Sequence, residues 1–310
     1  MMFSLRRRKP RLWLVTPARP NRDFFEKVVD EFATVAEEND YDLVLKAPRG
    51  EYETAPSVLV VNALTAELNY RDVLVLIPAV DNAQYPPLER YLRGARACTV
   101  ITFDLPMRIA DRPLPYARGS DQAGGRLAAD AADWHLRQLE ISRPARVLLV
   151  RGLWAQTRVE VFKSALRENR KNLIFLELAK PCRWDLEGAC AAVHSYIEAH
   201  SKDEIDIIFC SNDEMALGAR LAIIDARRKG LEAASSTRVI GFDGTDTFSY
   251  LLRCRDSILL NSVDVGVRAQ VKKAMDIIRL LNKNSDPEED ETYIEVAPQG
   301  LLIPKDAQSF

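Results

Sequence analysis

The chain predicts an α/β fold of two similar Rossmann-like lobes, each built on a parallel sheet. Short apolar runs of about four to seven residues alternate with amphipathic stretches of about ten to eighteen, the pattern of repeated βα units. The alternation runs through both halves of the chain, which implies two lobes with a cleft between them. Polar residues stand where the apolar runs end: Leu12 to Val15 ends at Thr16, Thr99 to Phe103 at Asp104, Arg238 to Phe242 at Asp243, and Ser257 to Val263 at Asp264. Most informative is Ile205 to Gly218, where an apolar strand runs into Asn212 and Asp213 and then into a helix. In open parallel sheets ligands sit beyond the carboxyl ends of the strands, so these residues are the first candidates for ligand contact.

The elements follow in order. Leu12 to Val15 is a strand, Phe24 to Asn39 a helix with Phe25, Val28, Val29, Phe32, Val35 and Ala36 on its apolar side, and Tyr41 to Leu45 the second strand. Thr54 to Leu68 reads as a helix, although its Val-rich middle has strand character. Asp72 to Ile77 is a strand, Leu88 to Arg96 a helix, and Thr99 to Phe103 a strand that closes the first set. After Tyr116 to Asp121, the second set alternates helices at 124–138, 159–169, 186–200 and 214–229 with strands at 146–150, 173–178, 205–210 and 238–242.

Length and composition bound the function. With 310 residues, 47% hydrophobic and 28% charged, the chain has apolar material for a large core and room for two lobes. A formal charge of -2 with interspersed signs gives no reason to expect nucleic-acid binding, and the basic run Arg6 to Lys9 reads as a solvated tail. No run approaches the roughly 18 apolar residues of a membrane span, so no membrane insertion is expected. Leu12 to Val15 is too short for the apolar segment of a signal peptide, so a cytoplasmic location is expected for the chain as written, and a periplasmic one if a signal sequence is missing from it. The five cysteines are odd in number and lack C-x-x-C spacing, which favours buried thiols over disulfides.

Enzyme readings fail on spacing, so no catalysis is expected. Neither G-x-x-x-x-G-K-[ST] nor G-x-G-x-x-G after the first strand is present, and no G-x-S-x-G elbow occurs. Asp243 and Asp246 are three apart rather than the two of a D-x-D-x-T phosphatase nucleophile motif. The histidines His135, His194 and His200 lie on expected helices without ligand spacing and read as surface or satisfied helix residues. No cofactor or metal is expected.

Five motifs carry a resemblance: Phe24-Phe25 after the first strand, Ser120 to Arg126, Arg158 to Phe162, Asn212-Asp-Glu-Met-Ala-Leu-Gly218 and Val239-Ile-Gly-Phe-Asp-Gly-Thr245. In this order they resemble the type I periplasmic binding proteins, the family of the ribose-binding proteins and of the effector cores of LacI-type regulators. The resemblance covers residues 11 to 305 or so. It implies a three-strand hinge near Arg118, Asp264 and Ile294, with a first lobe of residues 1–118 plus 265–293 and a second of 119–264 plus 294–310. It also implies that the helix Val265 to Asn282 returns to the first lobe.

A sugar offers hydroxyls around its edge and apolar C–H faces, so its site needs carboxylates, amides and arginine at the rim with aromatic planes above and below. By resemblance Asp104, Arg158, Asn212, Asp243 and Asp264 fall on the family's polar contacts, and Phe24 and Trp184 on its aromatic walls, with Phe25 beside them; Thr16 is a further candidate as the residue ending the first strand. Each has a plainer alternative. Asn212 and Asp243 would equally serve as a helix cap or turn residue, Asp104 as a turn residue before Leu105-Pro106, Arg158 as a surface helix residue and Phe25 as core. The sequence also departs from the ribose-binding pattern: Leu105 replaces an arginine and Arg22 an asparagine. Moving a cation between walls argues against ribose itself and leaves another sugar, a polyol, or an acidic sugar paired with Arg22 and Arg158. The expected role is a sugar-binding component that closes on its ligand and serves an ABC permease. The alternative is a cytoplasmic sugar sensor or a regulator's effector core with its own partner.

Overall fold

The computed structural model describes residues 9–17, 23–47, 61, 64–78, 86–93, 97–109, 112–139, 141–283 and 289–302. The chain divides into two compact units, Met1–Gly119 with Val267–Val296, and Ser120–Gly266 with Ala297–Phe310. Each unit carries a sheet dominated by parallel pairs and helices that pack their apolar stripes on it.

Unit 1 holds β1 (Arg11–Val15), α1 (Asp23–Glu38), β2 (Asp42–Lys46), β3 (Val73–Leu76), α2 (Pro86–Leu92), β4 (Thr99–Phe103), the short pair β5 (Arg108–Ile109) and β6 (Arg112–Pro113), and β7 (Tyr116–Gly119). Unit 2 continues with α3 (Asp121–Gln138), β8 (Ala145–Val150), α4 (Gln156–Asn169), β9 (Leu173–Glu177), α5 (Leu186–Ala199), β10 (Ile207–Cys210), α6 (Asp213–Arg228), β11 (Arg238–Asp243), α7 (Asp246–Arg253) and β12 (Leu259–Asp264). The chain returns to unit 1 with α8 (Val267–Lys283), α9 (Glu289–Thr292) and β13 (Tyr293–Val296), and to unit 2 with β14 (Gly300–Leu302). The sheet orders are β13-β7-β4-β3-β1-β2 in unit 1 and β14-β12-β11-β10-β8-β9 in unit 2. All pairs in the first are parallel, whereas β14 runs antiparallel to β12 in the second.

The apolar runs became strands because both sheet faces are covered, as in helix-flanked parallel sheets. Every residue of β3 and of β10 is buried. Helix α1 turns Phe25, Val28, Phe32, Val35 and Ala36 inward, which assigns Phe25 to the core. In unit 2, Leu148, Ile208 and Cys210 of the sheet pack with Met215, Ala219 and Ile223 of α6. Helix α5 approaches α6 closely at Gly218, where a Cβ would lie 2.2 Å from the Leu186 carbonyl oxygen.

Two helices begin three residues earlier than the apolar pattern suggests. Ser120 caps α3 by accepting from Ala123 N, so the helix starts at Asp121 rather than Gly124. Helix α4 starts at Gln156 rather than Val159. The eight-residue α7, which buries only Phe248 and Leu252, is too short for a periodicity window and was not anticipated. Of the helix expected over Thr54 to Leu68, most lies outside the described residues, though Val61 and Leu64 are helical and buried.

Cys98, Cys182 and Cys210 are buried thiols, and burial pushes the Cys98 and Cys182 pKa up to about 11. His194 Nε2 lies 2.7 Å from Asp225 and His200 Nδ1 2.9 Å from the Tyr196 carbonyl, as satisfied helix residues do. His135 corrects the reading of the histidines. Its Nε2 is buried with no hydrogen bond among the described residues, and burial, aided by Arg238, pushes its pKa down to about 4. Among the described residues no helix is long and apolar enough to cross a membrane.

Candidate functional site

The carboxyl ends of β8, β10, β11 and β12 in unit 2 gather most of the residues singled out from sequence. Asn212 follows β10 and caps α6, its Oδ1 accepting from Met215 N at 2.9 Å. Its Nδ2 donates to the Trp184 carbonyl at 3.3 Å, so the cap also ties α6 to the loop ahead of α5. The Trp184 ring lies against Gly152, where a Cβ would stand 2.7 Å from the ring. Only glycine lets the indole lie flat on that backbone.

Arg158 projects from the first turn of α4 into the centre of this group. Its Nε and Nη2 donate to Asp121 Oδ1 at 2.9 and 2.7 Å, and Nη1 reaches the Ser211 carbonyl. Nη1 also stands 3.7 Å from Asp243 Oδ1. The guanidinium lies 3.8 Å above the Phe242 ring centroid and 6.0 Å from that of Trp184, an arrangement in which cation–π attraction adds to the ion pairs. Arg158 is therefore a half-buried, oriented group rather than a surface helix arginine.

Asp243 ends β11 with φ 119°, a backbone region that disfavours side chains, and pairs in register with Asp264 of β12. Asp264 Oδ1 accepts from Gly266 N at 2.9 Å, and the strand then hands the chain to α8. Beneath them Asp213 is fully buried. Its Oδ2 accepts from Thr245 N at 2.7 Å and Thr245 Oγ1 at 2.9 Å, and its Oδ1 from Ser262 Oγ at 2.6 Å. Burial pushes this carboxyl up to about 7, while the donors from Ser262, Thr245 and the Phe242 backbone pull it down. One carboxylate thus pins the loop after β11 and the strand β12 to the start of α6. Gly241 makes room for it, since a Cβ there would lie 2.1 Å from Asp213 Oδ1.

In unit 1 the candidates stand at the carboxyl ends of β1 and β4, on either side of β3. Thr16 is buried just past β1, with its N donating to the Lys46 carbonyl at 3.1 Å. Asp104, past β4, has φ 69° and donates its N to the Ala117 carbonyl at 3.1 Å. Phe24, in the first turn of α1, is half-buried edge-on to Phe25. Arg22 lies outside the described residues.

The contacts therefore join Arg158, Trp184, Asn212, Asp243 and Asp264 in one cluster, with Asp213 beneath it, and add two residues that sequence reasoning had not placed there. Asp121 and Phe242 sit inside the quoted motifs but were not singled out there. Asp213 was visible as the second polar residue after β10, with nothing in the sequence to mark it as the buried one.

Two α/β units of matching strand order, between which the chain passes three times and whose polar residues collect at strand carboxyl ends, define a bilobal binding-protein class. Residues 13–284 match the model of the periplasmic binding protein domain, and the chain belongs to that family. It is 27% identical over 172 residues to the ribose import binding protein of Haemophilus influenzae, a match spanning 54% of this chain and 49% of that protein, about half the relative's length. In structure it is similar to an ABC transporter periplasmic solute binding protein from Actinobacillus succinogenes with bound D-allose, at TM-score 0.79 and 19% identity, covering 97% of this chain and 100% of that one. It is also similar to a LacI-family transcriptional regulator from Burkholderia phymatum, at TM-score 0.68 and 16% identity, covering 94% and 97%. At these identities the structural likenesses speak for the fold.

Proposed function

We propose that the chain binds a neutral monosaccharide or cyclic polyol, without turnover, as the solute-binding protein of a sugar ABC transporter. The observation that carries this reading is the unit 2 cluster: carboxylates and an amide at the strand ends, an arginine held among them, and indole and phenyl planes beside it. That is the donor, acceptor and aromatic set a sugar ring requires. The ribose import binding protein among the relatives and the D-allose carried by a structural neighbour support the ligand class.

The charge balance favours a neutral ligand over the sugar acids that sequence left open. Arg158 is matched by Asp121 and faces Asp243, and Asp264 lies in register with Asp243. Two carboxylates flank the one guanidinium and a third stands beside Asp243, so a ligand carboxylate would meet repulsion at this wall. Hydroxyl groups meet acceptors.

Calorimetric titration with D-ribose, D-allose, myo-inositol, D-galactose and D-galacturonate tests the reading. Micromolar or tighter binding of a neutral member is expected, with D-galacturonate weaker. Asp243→Ala should weaken it by roughly 2–4 kcal/mol, since hydrogen bonds to a charged acceptor are worth about 1.5–3 each. Absence of binding across the panel, or product formed from a bound sugar, would overturn the proposal. The likeness to a LacI-family regulator favours a second role, as a sugar sensor or effector core. Ligand-stimulated ATP hydrolysis by a co-reconstituted sugar permease separates the two.

A further inference from the structure

The turn between β8 and α4 holds a tryptophan that neither folding nor burial explains. Gly152-Leu-Trp-Ala155 is closed by Ala155 N donating to the Gly152 carbonyl at 3.3 Å. Its third residue, Trp154, has φ 63°, while Leu153 keeps a negative φ. A positive φ at the third position of a turn, as in type II turns, calls for glycine or asparagine because a side chain there is strained. Burial does not offset the strain, since Trp154 stays 44% exposed. An indole held against both local sterics and solvent points to work outside the core.

Three hydrogen bonds fix the turn to the unit 2 cluster. Leu153 N donates to the Cys182 carbonyl at 3.1 Å and Cys182 N to the Arg151 carbonyl at 2.8 Å, which ties it to the segment carrying Trp184. Gly152 N donates to Ser211 Oγ at 3.2 Å, next to Asn212. The left-handed backbone also recurs with a pattern. Asp104, Trp184 and Asp243 share it at strand carboxyl ends, whereas the other non-glycine cases among the described residues, Asp40 and Arg255, are helix-to-strand turns at the opposite ends. Trp154 is the fourth strained residue on the ligand side.

We infer that Trp154 is a ligand-contacting residue, an aromatic plane laid against the C–H face of a bound ring beside Trp184, and that it selects cyclic ligands over open-chain polyols. A flat indole gains from a ring's continuous apolar face and little from a flexible chain. The inference rests on the sugar-binding reading above. Calorimetry of the wild type, Trp154→Ala, Trp154→Phe and Trp154→Gly with D-allose, D-ribose, myo-inositol and D-glucitol tests it. Trp154→Ala should weaken the ring ligands 10- to 100-fold and leave D-glucitol unchanged, and Trp154→Phe should stay within fivefold of the wild type. Sugar-free Trp154→Gly should melt at or above the wild-type temperature, because glycine relieves the turn. A Trp154→Ala protein that binds the ring sugars within twofold of the wild type overturns the inference and leaves the sugar reading standing. So does a Trp154→Gly protein that melts several degrees lower, which would mark a packing role. A wild type that binds none of the probes overturns both.

Discussion

Asp213→Asn isolates the buried carboxylate beneath the strand ends, keeping its shape while removing one titrating proton. Burial raises this carboxyl from 3.8 to about 7. An acid whose pKa rises on folding holds its proton more tightly in the folded chain, so its contribution is greatest below pH 4 and is lost as pH climbs to about 7. At ~1.36 kcal/mol per pH unit, the gap between 3.8 and about 7 is worth about 4 kcal/mol. The amide lacks this dependence but accepts on one side only. Facing donors from both Thr245 and Ser262, it leaves one poorly matched at a cost of about 1–3 kcal/mol. The variant should therefore be the less stable protein at pH 4 and the more stable one at pH 8, with the curves crossing at roughly pH 5–6. Urea denaturation of both proteins at half-unit steps from pH 4 to 8, following the unit 2 transition, measures this. Parallel stability curves across that range would refute the reasoning.

Gly124→Ala should destabilise unit 2 by roughly 1–2 kcal/mol net, because overpacking outweighs the helix-propensity gain of about 1 kcal/mol. The new Cβ would lie 2.4 Å from Phe242 Cζ, and that buried ring is the platform under Arg158, so sugar affinity should fall in the same protein. A variant as stable as the wild type in urea counts against the packing argument. Asp72→Ala should cost unit 1 roughly 3–5 kcal/mol by stranding Arg11 and the buried Trp13 Nε1, and a loss under 1 kcal/mol in chemical denaturation would contradict it.

Strand positions were the most legible part of the chain, because fully buried parallel strands leave an uninterrupted apolar run. Thr99–Phe103 occupies the bounds its sequence suggests, and Asp243 and Asp264 do stand at strand ends. Helix starts were less legible. Ser120 acts through a cap that apolar periodicity does not register, which hid the first turn of α3. Roles that depend on tertiary pairing were hidden as well: Asp121 becomes the partner of Arg158 only once α3 and α4 are packed, 37 positions apart. Asn212 was read as a cap or a ligand residue, and the cap uses its oxygen while its amide nitrogen serves the Trp184 loop. Trp154 had no signal at all, since Leu-Trp-Ala does not advertise a turn with a positive φ.

The two units also repeat a device that their sequences do not display. Asp72 stands just ahead of β3 and Asp206 just ahead of β10, strands at matching places in the two sheet orders. Asp72 Oδ1 accepts from Arg11 N at 3.1 Å and Asp206 Oδ2 from Arg146 N at 2.7 Å, each at the start of the matching neighbour strand, β1 or β8. Arginine closes both clamps, Arg11 through Nε and Nη2 at 3.1 and 2.8 Å, and Arg143 through Nη1 and Nη2 at 2.8 and 2.9 Å. In unit 1 that arginine lies on the strand and in unit 2 just before it, so no shared spacing reveals the repeat. Both carboxylates are buried, and a buried, multiply hydrogen-bonded pair is costly to break. The clamps therefore hold the amino ends of the sheets, while the strained residues Asp104, Trp154, Trp184 and Asp243 occupy the carboxyl ends. Local strain persists only where the surrounding structure over-determines it. A sheet fixed at one end by a charged clamp supplies that constraint, so the strand-end loops can hold a binding geometry that their own backbone preferences oppose.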